Sequence, residues 1–165
     1  MLQAHKGTGE IGAQLRAEAA NPKTDIWWGG TGDPFLQAAE QGLLEPYRPA
    51  YINDLHDWAV RQYALSQNMV GGFYTSAMGF GFNTELLKKK KLPEPRCWAD
   101  LVKPGYKGEI EISHPATSGT AYTIIAGLVQ QMGEDAAFDY LKQLHRNVTS
   151  YTRSGQAQAP NVAKG

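Results

Sequence analysis

Four times along this chain a hydroxyl residue stands beside glycine where a helical period begins: Thr8-Gly9, Gly30-Thr31, Ser118-Gly119-Thr120 and Ser154-Gly155. Turns of that composition close one element and open the next, so each marks a passage from extended chain into helix. Repetition of that passage restricts the fold to alternating strands and helices, the α/β class.

The intervening segments agree. Ile11, Leu15 and Ala19 recur at spacings of four, with Arg16 and Glu18 off the stripe, and Asn21-Pro22 stops this amphipathic helix. Asp25-Ile26-Trp27-Trp28 reads as a short strand whose alternation sends the two indoles to opposite faces, with core packing expected for both. Asp33-Pro34 then supplies an N-cap and a first-turn proline for a helix from Phe35 to Leu43. Residues 48–66 show no clean period and read mostly as loop, with Trp58, Tyr63 and Leu65 as core contacts. The glycine- and aromatic-rich run 69–83 reads as extended chain, and Thr84 as the cap of a short helix ending in Lys88-Lys89-Lys90-Lys91, a solvated and dipole-favoured terminus. Beyond Pro93 and Pro95, Trp98 to Val102 is a short helix and Gly108 to Ser113 an alternating strand. Tyr122, Ile125, Leu128, Val129 and Met132 mark one helix face, and Ala137, Phe138, Leu141 and Leu144 another, with Gly133 between them and His145-Arg146 at the second terminus. Val148 to Tyr151 is the next strand.

Composition narrows the function classes. Hydrophobic residues are 42% and charged residues 19%, ordinary for a folded domain. Sixteen basic residues balance sixteen acidic ones, which removes the electrostatic drive for nucleic-acid binding. No run approaches the ~20 apolar residues of a membrane span. Cys97 stands alone and reads as a small buried hydrophobe, not a disulfide partner. The first six residues lack a secretory signal, and residues 157–165 open an element without a closing strand, so a piece of a longer chain is expected.

The four turns carry the chemistry. A helix start exposes N–H groups that its own backbone cannot satisfy, glycine lets a ligand approach, and the hydroxyl adds a donor. Thr8-Gly9, Gly30-Thr31, Ser118-Gly119-Thr120 and Ser154-Gly155 therefore suit a phosphate, a carboxylate or a metal-anion pair, although each is also how an ordinary cap looks. Catalysis finds less support. His5, His56, His114 and His145 are scattered without metal-ligand spacing, no nucleophile elbow or phosphate loop occurs, and nothing identifies a base for Ser118 in a Ser-dependent hydrolase. No catalytic residue, metal or cofactor is assigned.

The series Thr8-Gly9-Glu10, Asp25-Ile26-Trp27-Trp28-Gly29-Gly30, Gly42-Leu43-Leu44-Glu45-Pro46-Tyr47, Trp98-Ala99-Asp100-Leu101, Tyr106-Lys107-Gly108 and Ser118-Gly119-Thr120-Ala121-Tyr122, followed by Tyr151-Thr152-Arg153-Ser154-Gly155, resembles the iron-type family of bacterial extracellular solute-binding proteins. The resemblance implies a periplasmic-binding-protein-like (type II) two-lobed fold, incomplete at this length: 1–75 in the first lobe, 76–83 a crossing strand, 84–165 in the second lobe. It implies that Thr8, Gly30, Thr31, Ser118, Gly119, Thr120 and Ser154 line a cleft. It further implies a non-enzymatic, periplasmic or extracellular protein that holds a ferric, phosphate-ester or phosphonate solute and delivers it to the membrane subunits of an ABC permease. An effector-sensing domain of a regulator shares that architecture and is the alternative. Two departures stand out. His114 replaces the Asp or Asn usual before the proline of this turn, and reads as a structural histidine; the adjacent tyrosines of ferric binders are missing and belong downstream of Gly165. Surface uncovered by missing segments predicts self-association.

Overall fold

The computed structural model describes residues 5–165, which fall into two compact units, the first ending at Ala77 and the second running from Met78 to Gly165. In the first unit, helix α1 (Thr8–Glu18) packs against α2 (Gly32–Glu40), and a single 3-10 turn, Ile52–Asp54, precedes α3 (Asp57–Leu65). Its buried apolar residues are Ala38, Ile52, Ala59, Tyr63 and Val70. Tyr63 donates its hydroxyl to Tyr47 O at 3.0 Å, while buried Ser66 Oγ accepts from Val70 N at 2.8 Å and donates to Tyr63 O at 2.9 Å. Those bonds keep the buried polar groups paired, which makes their burial affordable.

Several expectations for this unit are corrected. Residues 48–66 hold a helix, because Ala59 and Tyr63 sit one turn apart on the buried face and a small alanine hides the stripe. Leu65 is exposed, not core. Asp25–Trp28 is not a strand: a strand needs a ladder partner, and among the described residues the only ladder lies in the other unit. Trp27 stacks on Phe35 of α2 at 4.0 Å, but Trp28 is 73% exposed. Helix α2 begins at Gly32 with Thr31 at its N-cap, so Asp33 lies inside the first turn.

The second unit is a crossover. Strand β1 (Ile110–Ser113) leads through α5 (Gly119–Met132) and α6 (Glu134–His145) into β2 (Val148–Thr152), which pairs parallel to β1 with a register shift after Ile110. Parallel pairing needs such a helical return, since a tight turn cannot reverse the chain twice. Helix α4 (Thr84–Lys90) precedes the crossover and α7 (Gln158–Lys164) follows it. Leu101, Leu128, Ala137, Tyr140 and Leu144 form the core cluster, with Phe80, Trp98, Ile110 and Val148 packed around it. Gly133, at φ 82°, ends α5 and caps α6, a left-handed position that glycine fills without strain.

Here too the structure revises details. Tyr122, Met132 and Phe138 are exposed and Ala121 and Tyr140 buried, while Leu128, Val129, Ala137, Leu141 and Leu144 face the core as expected. Asn83, not Thr84, caps α4: its Oδ1 accepts from Leu86 N at 3.0 Å. Cys97 is exposed. Residues 98–102 form a 3-10 helix, and residues 70–83 have no paired strand. Asp100 accepts from the N–H groups of Arg96 (2.8 Å) and Cys97 (3.3 Å) and pairs with Lys103; that lysine's bond, foremost, holds the carboxyl well below the usual range.

Candidate functional site

In the first unit the sequence-distant residues Thr8 and Gly30 meet. Thr8 is the first residue of α1, behind Gly7, whose N–H donates to the Glu10 carboxylate at 3.0 Å. A carboxylate thus already sits at this helix start, where the dipole favours it. The Thr8 side chain lies against Gly30 so closely that a Cβ there would stand 2.8 Å from Thr8 Oγ1 and 3.0 Å from Cγ2. Gly30 also has φ 127°, so both backbone and space demand glycine. Its N–H donates to the Tyr74 hydroxyl at 3.3 Å, and that hydroxyl donates back to Gly30 O at 3.2 Å. Thr31 holds the N-cap of α2 without a cap bond, and its Oγ1 is buried with no partner. Gly9 lies in the first turn of α1.

The second unit repeats the motif. Ser118 caps α5, its buried Oγ accepting from Ala121 N at 3.4 Å, so this hydroxyl serves its own helix first. Gly119 and Thr120 follow as the opening residues, whose N–H groups point out of the helix end. Thr120 packs on Gly155: a Cβ at 155 would come within 2.6 Å of Thr120 Oγ1. Thr117 Oγ1 donates to Arg153 O at 2.9 Å and draws the two turns together. The Gln158 amide finishes the join, its oxygen accepting from Ser113 N at 2.6 Å and its nitrogen donating to Gly155 O at 2.7 Å. Among the described residues the Ser154 side chain makes no hydrogen bond, while its carbonyl accepts from Thr152 Oγ1 at 3.0 Å and Ala157 N at 3.3 Å.

His114 begins this turn. Its Nδ1 accepts from Ala116 N at 3.1 Å, which fits a structural histidine. Its ring meets the edge of Tyr151, whose hydroxyl lies 2.7 Å from His145 Nδ1 and is pushed up by burial. Among the described residues no histidine or carboxylate is hydrogen-bonded to Ser118 Oγ, the geometry that nucleophile activation requires. Among the same residues no group of three His, Cys, Asp or Glu side chains is placed to hold a metal. An open surface depression lined by Asn53, Leu55, Asp57, Val60 and Arg61 contains none of the four turns.

The structure therefore brings Thr8 to Gly30 and Thr120 to Gly155, while Ser154 takes part through its carbonyl. Tyr74, Thr117 and Gln158 were missed. Nothing in local spacing could have found them, because each acts on a residue far along the chain.

Comparison with known proteins identifies the family and the fold. Residues 21–165 match the family model for bacterial extracellular solute-binding proteins, and the chain belongs to that family. An uncharacterized protein of Haemophilus influenzae is 45% identical over 160 residues, 96% of this chain and 46% of its own length. The periplasmic binding protein P5PA superposes with a TM-score of 0.93 at 41% identity, covering 98% of this chain and 51% of P5PA. AfuA of Actinobacillus pleuropneumoniae, a periplasmic binding protein solved with fructose-6-phosphate bound, gives 0.85 at 45% identity, again covering 98% and 51%. The fold is that of periplasmic binding proteins, and the chain spans about half the length of these relatives. Among the described residues no helix is long and apolar enough to cross a membrane.

Proposed function

We propose that this chain is part of the substrate-binding component of an ABC importer, capturing a small anionic solute in the periplasm for delivery to the permease subunits. The observation that carries this reading is the double occurrence of one device: a threonine at a helix start packed on a glycine from a distant turn, Thr8 with Gly30 and Thr120 with Gly155. Each leaves helix N–H groups, a hydroxyl and a surface without side-chain bulk together, which is what an oxyanion needs. A phosphate ester is favoured among the anions, supported by the fructose-6-phosphate bound to AfuA. A ferric ion held with its anion is the second solute of this class. In this reading residues 1–75 and 84–165 belong to two lobes, with 76–83 as the segment that crosses between them. The reading involves no chemical turnover.

Isothermal calorimetry of the full chain, purified without added ligand, tests this against fructose 6-phosphate, inorganic phosphate, methylphosphonate and ferric citrate. One-to-one binding of a phosphate ester, weakened by Thr120→Val, is expected. Absence of binding by all four overturns the reading. Phosphoester hydrolysis that vanishes in Ser118→Ala would replace it with an enzyme.

A further inference from the structure

Charge is not spread evenly over this neutral chain. Between Glu85 and Glu109 seven lysine and arginine residues stand against four carboxylates, a surplus of three, and the remainder carries the opposite excess. The fold joins the two stretches that hold the surplus. Lys90 Nζ donates to the Glu109 carboxylate at 2.5 Å, the Tyr106 hydroxyl donates to Pro93 O at 2.5 Å, and Leu92 lies where a Cβ on Gly105 would meet it at 3.4 Å. These contacts bring the Lys107 segment to the end of α4. Lys88, Lys90 and Lys103 pair with Glu85, Glu109 and Asp100, but among the described residues Lys89, Lys91 and Lys107 make no ion pair, and all three are exposed. Lys91 also holds the left-handed position that closes α4, at φ 56° and ψ 35°. Glycine is the usual residue there, so lysine keeps a charge where glycine would relax the backbone.

We propose that the lysine surface at the end of α4 is an electrostatic contact for a membrane bearing anionic phospholipid headgroups. From the proposed function it takes only that the chain works beside a membrane. Lipid phosphates attract each nearby ammonium group without a fitted partner, and the attraction weakens as salt screens it. Protein interfaces are built differently: aromatic residues and arginine gather around an apolar centre, and lysine is depleted. Here six of the seven cations are lysine, and among the described residues no large apolar side chain from 83 to 121 is exposed. Hydrated point charges without an apolar anchor match a headgroup layer better than a protein partner. Adsorption confines the protein to the surface in which the permease subunits lie and shortens its search for them.

Co-sedimentation of the full chain with vesicles of phosphatidylcholine, alone or with about 40% phosphatidylglycerol, tests this at ~20 mM and ~300 mM salt. Binding to the anionic vesicles at low salt should be at least about fivefold stronger than to the neutral ones, and should fall as salt rises. Lys91→Gln should weaken it about three- to fivefold, and changing Lys89, Lys91 and Lys107 together to Gln should reduce it to the neutral-vesicle level. Lys23→Gln, the same charge change outside this surface, should weaken it less than about twofold. Lys91→Gly should weaken binding without lowering Tm, which separates the charge from the fold, and Lys91→Arg should retain binding. Excess fructose 6-phosphate should not release the protein; release would place the headgroup in the solute turns and overturn the proposal. So would equal binding to both vesicles, or equal losses in Lys23→Gln and Lys91→Gln. Retention on immobilised polyglutamate without binding to anionic vesicles replaces the membrane with an acidic protein partner and overturns it too. Vesicle binding needs no solute, so failure of solute capture in calorimetry and failure of this contact are read separately.

Discussion

Gly30 carries two constraints that a single methyl group tests. Its φ of 127° disfavours any side chain, and a Cβ would press on Thr8. Gly30→Ala should therefore lose about 1–3 kcal/mol of stability, measured by urea denaturation, and weaken solute binding as the turn shifts. Asp100 offers a pH test. Its carboxyl is held below the usual range by Lys103 and the N–H groups of Arg96 and Cys97. A depressed folded pKa gives stability that is fully present above the unfolded value of ~3.9 and is lost as pH falls below it. Asp100→Asn should therefore be less stable than the parent at pH 7, and the gap in Tm should narrow as pH falls below ~4. A gap that stays constant down to pH ~2 would contradict this. At this scale the sequence was informative about residue type and weak on partners. Glycine and hydroxyl at 30 and 31 were legible because their conformational roles are local. The Tyr74 bonds to Gly30 were not, because only the folded backbone brings residues so distant together.

Elements were legible where the apolar stripe was strong. Helices α5 and α6, the strands around them and the glycine at 133 follow from periodicity and turn chemistry. Helix α3 was missed because its inward face is Ala59 and Tyr63, while Leu65, the residue that most looked like core, is exposed. The segments 25–28 and 70–83 show another limit: β-favouring composition specifies extended chain, but a strand exists only with a partner to bond. Helix α5 begins on a cap that is also a candidate ligand turn, so Ser118→Ala should reduce stability by about 0.5–2 kcal/mol, read by denaturation, through loss of the bond to Ala121 N. Helix α6 is tied to the 3-10 helix by Tyr140, whose hydroxyl donates to Trp98 O at 2.7 Å and is pushed up to about 12, mainly by burial. A raised folded pKa means that this contribution is complete below the unfolded value of ~10 and is lost as pH rises through that value toward the folded one. Tyr140→Phe should remove about 1 kcal/mol at neutral pH and abolish this part of the alkaline destabilisation, which denaturation at pH ~8 and ~11 will register.

For the whole molecule, family and fold came through because the sequence motifs recur in order over nearly the entire chain, and residues 21–165 match the family. The solute did not, since it depends on which turns meet in space and on segments of relatives that this half-length chain does not span. The sequence placed nine residues at candidate turns; the structure pairs Thr8 with Gly30 and Thr120 with Gly155, and gives Ser118 a capping duty first. Anion capture by those turns is the central claim. Its most direct measurement is amide NMR of the isotope-labelled full chain titrated with fructose 6-phosphate. The account predicts saturable shifts centred on Thr8, Gly30, Thr31, Gly119, Thr120 and Gly155. Saturable shifts centred instead on residues 53–61, with those six amides unmoved, would contradict it.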